Sequence, residues 1–105
     1  MLVLPNKSAQ VWDKFITENK VLVYKYILRE LNRNLTTTNE RIELFKFEDE
    51  SMFAWIPRRK VLDTLDEALK IFVKAEEYEY AQRTKDLMIK YQVDKLIKES
   101  NKPEE

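Results

Sequence analysis

The side chains on which most enzymes depend are missing from this sequence. Its 105 residues include no histidine and no cysteine, so it lacks the commonest general base and metal ligand and the strongest side-chain nucleophile. Glycine is absent as well, which excludes the glycine-rich loops that bind phosphates and dinucleotides. Catalysis would have to rest on carboxylates, Lys, Tyr or Ser. We therefore predict that the chain is not an enzyme and binds no cofactor.

The densest group of carboxylates is Glu48-Asp49-Glu50. Oxygen ligands of this kind can bind a hard cation, but a calcium loop of the EF-hand type needs a longer alternating pattern and a glycine. We interpret the cluster as a solvated hairpin turn and predict no metal site. The functional alternative is an acidic contact for a basic partner.

The densest basic cluster is Arg58-Arg59-Lys60, which follows Phe53 and Trp55 closely. Arginine beside an exposed aromatic ring can bind a phosphate backbone and stack on bases. Arg58, Arg59, Lys60 and Trp55 are therefore candidate nucleic-acid contacts. The simpler interpretation is that one face of this strand builds the core and that the basic residues aid solubility. With 19 Lys and Arg residues against 19 Asp and Glu residues, no net charge attracts the whole molecule to a polyanion, and we favour the simpler interpretation.

The hydrophobic pattern predicts an α+β fold in one domain. Ser8 can cap an N-terminal helix. In residues 20–31 the apolar side chains point in nearly every direction, which suits either a buried helix or a central strand. We favour a helix because good helix formers follow. Segments 41–47 and 52–56 are rich in strand-forming residues and predict a β-hairpin, closed by the acidic loop and ended by Pro57.

Residues 61–100 predict an antiparallel pair of helices, and residues 101–105 a frayed tail. Residues 64–67, Thr-Leu-Asp-Glu, have the spacing of a capping box, although the first helix can begin a turn earlier, near Lys60. Ala81 is the small residue that lets the two helices approach. Because the chain has no glycine, we expect its turns to use Asn, Asp, Ser or Pro. The Asn residues placed where helices should end are Asn32, Asn34, Asn39 and Asn101.

The elbow of this helical pair carries a recognisable pattern. An acidic pair, Glu76-Glu77, precedes Tyr78-Glu79, then Ala81, and Lys85-Asp86 completes it. This arrangement resembles the UVR motif, the helical hairpin of the excision-repair proteins UvrB and UvrC and of some Clp-protease regulators. The resemblance covers about a third of the chain. Thr84 departs from it, because the family usually has a large apolar residue there.

The resemblance implies a protein-docking module that pairs with another UVR hairpin, so a UVR-bearing protein or a second copy of this chain is the expected partner. Its implied contact residues are Glu77, Tyr80, Arg83, Thr84 and Asp86. Packing within the hairpin is the simpler interpretation of its tyrosines. We expect Tyr78 to serve the helix–helix seam and Tyr80 to be the better surface candidate.

We thus predict a small cytoplasmic protein-interaction module that acts as an adaptor, regulator or inhibitor. No apolar run approaches the roughly 18 residues that a membrane span needs, so we expect no membrane contact. The alternatives are a nucleic-acid-binding accessory protein that uses the Arg58-Arg59-Lys60 patch, and a self-assembling structural subunit.

Overall fold

The computed structural model describes the backbone of residues 2–4, 9–47 and 53–100, and the side chains of residues 14–46 and 54–99. The predicted α+β fold is confirmed. The elements in chain order are β1 (Leu2–Leu4), α1 (Ala9–Glu18), α2 (Lys20–Arg33), β2 (Arg41–Phe47), β3 (Phe53–Pro57), a 3₁₀ turn (Arg58–Lys60), α3 (Val61–Lys74) and α4 (Tyr78–Ser100). The Ser8 cap and the acidic loop at 48–51 lie outside the described residues.

The strands form a three-stranded sheet in the order β1-β2-β3. β2 and β3 pair antiparallel, with Ile42 opposite Ile56 and a register shift between Glu43 and Phe45. The predicted β-hairpin is confirmed, including its end at Pro57. The parallel pairing of β1 with β2 was not predicted, because a strand of three residues leaves too short a pattern to recognise.

Residues 20–33 form a helix, as preferred in the sequence analysis, and this helix occupies the middle of the fold. Val23, Ile27 and Leu31 are buried, and their spacing of four places them on one face. That face packs against β2 on one side and α3 on the other. The strand alternative fails because the stripe has a helical period, and the remaining apolar residues serve a second face of the same helix.

The two C-terminal helices pack along most of the length of α3. Val61, Leu65, Ala68 and Phe72 of α3 are buried, as is Ala81 of α4. The predicted role of Ala81 fits this arrangement, since two small residues, Ala68 and Ala81, lie within the interface. Complete burial of a side chain such as Phe72 contributes about 1.5–3 kcal/mol.

The start of α3 corrects one prediction. The helix begins at Val61, so Thr64 lies inside its first turns and not at its N-cap. The Thr64 hydroxyl donates a hydrogen bond to the Lys60 carbonyl oxygen at 2.9 Å, as a helical Thr does with the residue four positions earlier. No capping box forms at 64–67, and the alternative start near Lys60 is the correct one.

The turn between α3 and α4 uses Glu76, and not one of the Asn, Asp, Ser or Pro residues expected at turns. Glu76 has φ of 60°, in the left-handed region that usually favours glycine. Its amide donates to the Val73 carbonyl at 3.1 Å, and the Glu77 amide donates to the Phe72 carbonyl at 2.8 Å. This is the Schellman arrangement that ends a helix. Asn34 does cap α2, but with φ of −90°, so the expected Asn does not supply the left-handed residue.

Within residues 9–47 and 53–100, none of the helices combines the length and the apolar content that a membrane span requires. The cytoplasmic location stays a prediction.

Candidate binding groove

An open depression of about 650 Å³ lies between α2 and α4. We call it the α2–α4 groove. The residues that line it are Leu22, Lys25, Tyr26, Leu28, Arg29, Asn32, Tyr80, Arg83, Asp86, Leu87 and Lys90. It combines an apolar base with a rim of charged and aromatic side chains.

Helical spacing explains why these residues share one surface. On α2, Leu22, Tyr26 and Arg29 recur at intervals of four and three, so they form a stripe beside the buried Val23 and Ile27 stripe. On α4 the intervals from Tyr80 through Arg83 and Leu87 follow the same rule. The second apolar face of α2 is therefore a wall of the groove.

Contacts at both ends of the groove hold α2 beside α4. The ammonium of Lys25 pairs with the Glu77 carboxylate at 3.2 Å, near the start of α4. Further along both helices, the Tyr91 hydroxyl donates a buried hydrogen bond to the Leu31 carbonyl oxygen. The two helices thus run in broadly the same direction, and their separation is set at two points.

The environment of Tyr91 affects its ionisation. Burial raises the pKa of Tyr91 to about 12, although the positive charge of Arg58 acts in the opposite direction. A neutral hydroxyl retains the proton that it donates to Leu31, so the contact is maintained at neutral pH.

The groove concentrates positive charge on a molecule whose net charge is zero. Four of its lining residues are cations and one, Asp86, is a carboxylate. Glu77 partly neutralises Lys25, and Glu79 pairs with Arg83 at 2.7 Å. Arg29 and Lys90 form no ion pair with any residue that the structure describes. The two cations left available face the same groove.

Tyr80 is a part-buried centre of contacts, not the exposed tyrosine of the hairpin. Its ring lies 5.5 Å from that of Phe72, with the Lys25 ammonium 4.5 Å and the Arg83 guanidinium 5.2 Å from its centre. Tyr78 is 64% exposed. The predicted roles are therefore reversed, because Tyr80 packs at the helix–helix contact while Tyr78 points to solvent.

The structure brings together most of the predicted partner-contact residues. Tyr80, Arg83 and Asp86 line the groove, and Glu77 lies at its rim through its pair with Lys25. Thr84 is 0% exposed, and its hydroxyl donates to the Tyr80 carbonyl oxygen at 2.7 Å. Thr84 therefore belongs to the core and cannot touch a partner of the folded protein.

The contribution of α2 to this surface was missed. Lys25, Tyr26 and Arg29, with Lys90 on α4, were not selected. The signal was present, since residues 20–31 were seen to be apolar in nearly every direction, and a helix with two apolar faces must present the second one to something. Which helix it meets depends on the tertiary fold.

The basic turn, residues 58–60, has a different character. The Arg58 guanidinium donates to the Asn39 carbonyl at 2.7 Å, the Asn34 carbonyl at 3.1 Å and the Thr37 hydroxyl at 2.8 Å. Its Nη1 nitrogen is buried and makes no hydrogen bond of normal geometry with the described residues, although the guanidinium lies close enough to the Tyr91 hydroxyl to lower the pKa of that group against the larger effect of burial. Arg58 thus fastens the loop after α2 to the end of β3, and its charged group is not presented to a nucleic acid.

The rest of the predicted nucleic-acid patch is dispersed. Arg59 is exposed, and Lys60 pairs with Asp63 at 3.7 Å. Trp55 is 42% exposed, but the Arg41 guanidinium lies over its ring at 4.5 Å. The structure therefore does not join these residues into one phosphate-binding surface with an open aromatic face.

Among the side chains that the structure describes, no group of three or more acidic residues is arranged to bind a metal ion. In comparisons with protein-family models, curated proteins and solved structures, no match to this chain is found.

Proposed function

We propose that this chain is a small protein-binding module that holds a segment of another protein in the α2–α4 groove. Binding of this kind suits an adaptor, regulator or inhibitor, which acts by occupying a surface of its partner. The observation that carries the proposal is the groove itself, where an exposed leucine, two tyrosines and available cations share one concave surface.

The composition of the groove supports a protein ligand. Tyrosine and arginine are enriched at protein interfaces, where they contribute much of the binding energy. Leu22 is 48% exposed and lines the same groove as the buried Leu28 and Leu87, so a partner's apolar side chain can cover Leu22 and remove it from water. The resemblance of the elbow to the UVR hairpin points to docking as well, and it stays a prediction.

The nucleic-acid alternative receives less support. Arg58 is engaged by three groups of its own chain, and Trp55, although 42% exposed, already has the Arg41 guanidinium over one face of its ring. Stacking on bases requires an open aromatic face. Self-association also stays a prediction.

Site-specific crosslinking tests the proposal. A photoreactive benzoylphenylalanine is placed at Leu22, and the matched control carries it at Val73, which is 47% exposed against 48% for Leu22 and lies on α3, outside the groove. We expect a protein adduct in native lysate from the Leu22 position, at several times the yield from Val73. Equal yields at the two positions would contradict the proposal.

A further inference from the structure

We infer that the occupant of the α2–α4 groove is an acidic amphipathic helix of about three turns. This inference rests on the proposed function and adds the chemistry of the partner segment. Its basis is the pairing of an apolar base with cations on both walls, together with the length of the groove.

The length of the bound helix follows from the extent of the groove along α2. The groove extends along α2 from Leu22 to Asn32, which at a rise of 1.5 Å per residue is about 15 Å, or about three helical turns. A helix laid between α2 and α4 can contact both walls along this distance. It does so with side chains at intervals of three and four, as in other helix-in-groove complexes.

The cations of the groove determine which sign of charge is expected on the bound segment. Arg29 stands on the α2 wall and Lys90 on the α4 wall, and neither forms an ion pair within the described part of the chain. Carboxylates on both flanks of a bound helix can therefore meet a cation on each wall. Lys or Arg at those flanks would instead meet like charges, which discriminates between partners more strongly than it raises affinity.

The apolar base selects an amphipathic segment over a merely acidic one. Leu22 and Tyr26 offer partly exposed apolar surface, and Leu28 and Leu87 close the base beneath them. An extended polyanion leaves this surface in water.

The chain's own exposed apolar stripe fits the groove poorly. On α4, Ile89, Val93 and Leu96 are all exposed, but Lys85 lies four residues before Ile89 on the same stripe, and Lys90 lies beside it. Docking it into a second copy would bring these ammonium groups to a basic rim. A separate acidic partner satisfies the rim without that repulsion.

Two synthetic peptides provide the direct test. Both are capped helices of about 14 residues with the same leucines at intervals of three and four, and they differ only in carrying Glu or Lys at the flanking positions. Fluorescence anisotropy at physiological salt measures their binding to the full chain. We expect the Glu peptide to bind at least ~10-fold more tightly than the Lys peptide.

A matched pair of variants locates the effect. Arg29→Glu with Lys90→Glu reverses two charges in the groove, and Arg59→Glu with Lys60→Glu reverses two in the basic turn, so both variants change the net charge equally. The groove variant should lose at least ~10-fold in affinity for the Glu peptide and bind the Lys peptide more tightly. The turn variant should retain the wild-type preference. Circular dichroism shows whether each variant remains folded.

Several results would overturn the inference. Equal binding of the two peptides would remove the acidic preference, and so would a turn variant that weakens binding as much as the groove variant. Displacement of the Glu peptide by a short oligothymidine with a steep salt dependence would favour nucleic acid. A concentration-dependent dimer abolished by the groove variant would favour a second copy. If crosslinking from Leu22 persists while the acidic preference fails, the proposed function stands and only this inference falls.

Discussion

The basic turn, residues 58–60, and the cations of the α2–α4 groove have different roles in this molecule. The basic turn stands out in the sequence as three consecutive cations, yet its first member, Arg58, donates its hydrogen bonds to the loop after α2. The cations of the α2–α4 groove are scattered over residues 25–90 and become neighbours only through the packing of two helices.

The difference shows that density of charge along a chain is a poor guide to a binding surface. Arg58 lies beside the carbonyl groups of Asn34 and Asn39 in the loop after α2, and these carbonyl oxygens accept hydrogen bonds from its guanidinium. Cations spaced at three and four residues on a helix instead share one face and leave their charged ends in solvent. This contrast should be measurable in the stability of single variants.

The largest effect is expected for Arg58→Met, which keeps much of the stem and removes the guanidinium. Three hydrogen bonds from a charged donor are lost, although Asn34 and Thr37 keep the hydrogen bonds between them. We expect about 3 kcal/mol less free energy of unfolding in urea. Arg59→Met, the control in the same turn, should change it by less than about 0.5 kcal/mol. Similar losses in the two variants would contradict the assignment of Arg58 as a structural residue and of Arg59 as a solvent-exposed one.

Tyr91→Phe tests the contact that sets one end of the groove. The Leu31 carbonyl loses its donor, and we expect a loss of about 1–2 kcal/mol at neutral pH. Thermal unfolding with and without the hydroxyl measures it.

The same variant should show a distinct pH dependence. Burial raises the pKa of Tyr91 from 10.0 to about 12, so the folded state binds this proton more tightly than the unfolded state. The corresponding stability is complete below pH 10 and is lost as pH rises towards 12, by an amount on the order of 2 kcal/mol once solvent screening is allowed for. The wild type should lose this increment relative to Tyr91→Phe, and parallel pH curves would refute the assignment.

Lys25→Met separates a groove cation that the fold uses from one that it does not. Lys25 pairs with Glu77 and lies over Tyr80, so we expect a loss of about 0.5–1 kcal/mol. Arg29→Met should be close to neutral, because this guanidinium has no ion pair among the described residues. A greater loss for Arg29→Met than for Lys25→Met would show that the available cation has been misidentified.

An effect as small as that of Lys25→Met, but stabilising, is expected at the elbow that orients the α4 wall. Glu76 adopts φ of 60°, which glycine tolerates without the steric cost that other residues meet. Glu76→Gly should raise the free energy of unfolding by about 0.5–1 kcal/mol, and Glu76→Ala should change it little. Chemical denaturation distinguishes these outcomes, and a destabilising glycine would contradict the left-handed turn.

Much of the fold could be predicted because it depends on local patterns. The β-hairpin, the helix over residues 20–33 and the C-terminal helical pair follow from hydrophobic periodicity and from Pro57. β1 and the left-handed Glu76 could not be predicted in this way. The first depends on a distant partner strand. The second depends on the hydrogen bonds that end α3, which hold Glu76 in a backbone conformation that a glutamate disfavours in isolation.

The candidate site divides along the same line. The UVR-like pattern selected Tyr80, Arg83 and Asp86, which do line the groove. It also selected Thr84, which is buried. Thr84 follows Arg83 directly, and residues one position apart on a helix face different directions, so the two cannot both line the groove. No pattern confined to α4 could have indicated the half of the groove that α2 supplies.

The amino-acid sequence by itself determined the types of the longer elements, their approximate ends and the absence of histidine, cysteine and glycine chemistry, since these depend on residue identity and short-range spacing. Only the tertiary structure decided which cations are free, which tyrosine is exposed and which two helix faces meet. These properties arise from contacts between residues up to 60 positions apart, such as that of Tyr91 with Leu31. Such contacts leave no periodic trace in either segment alone.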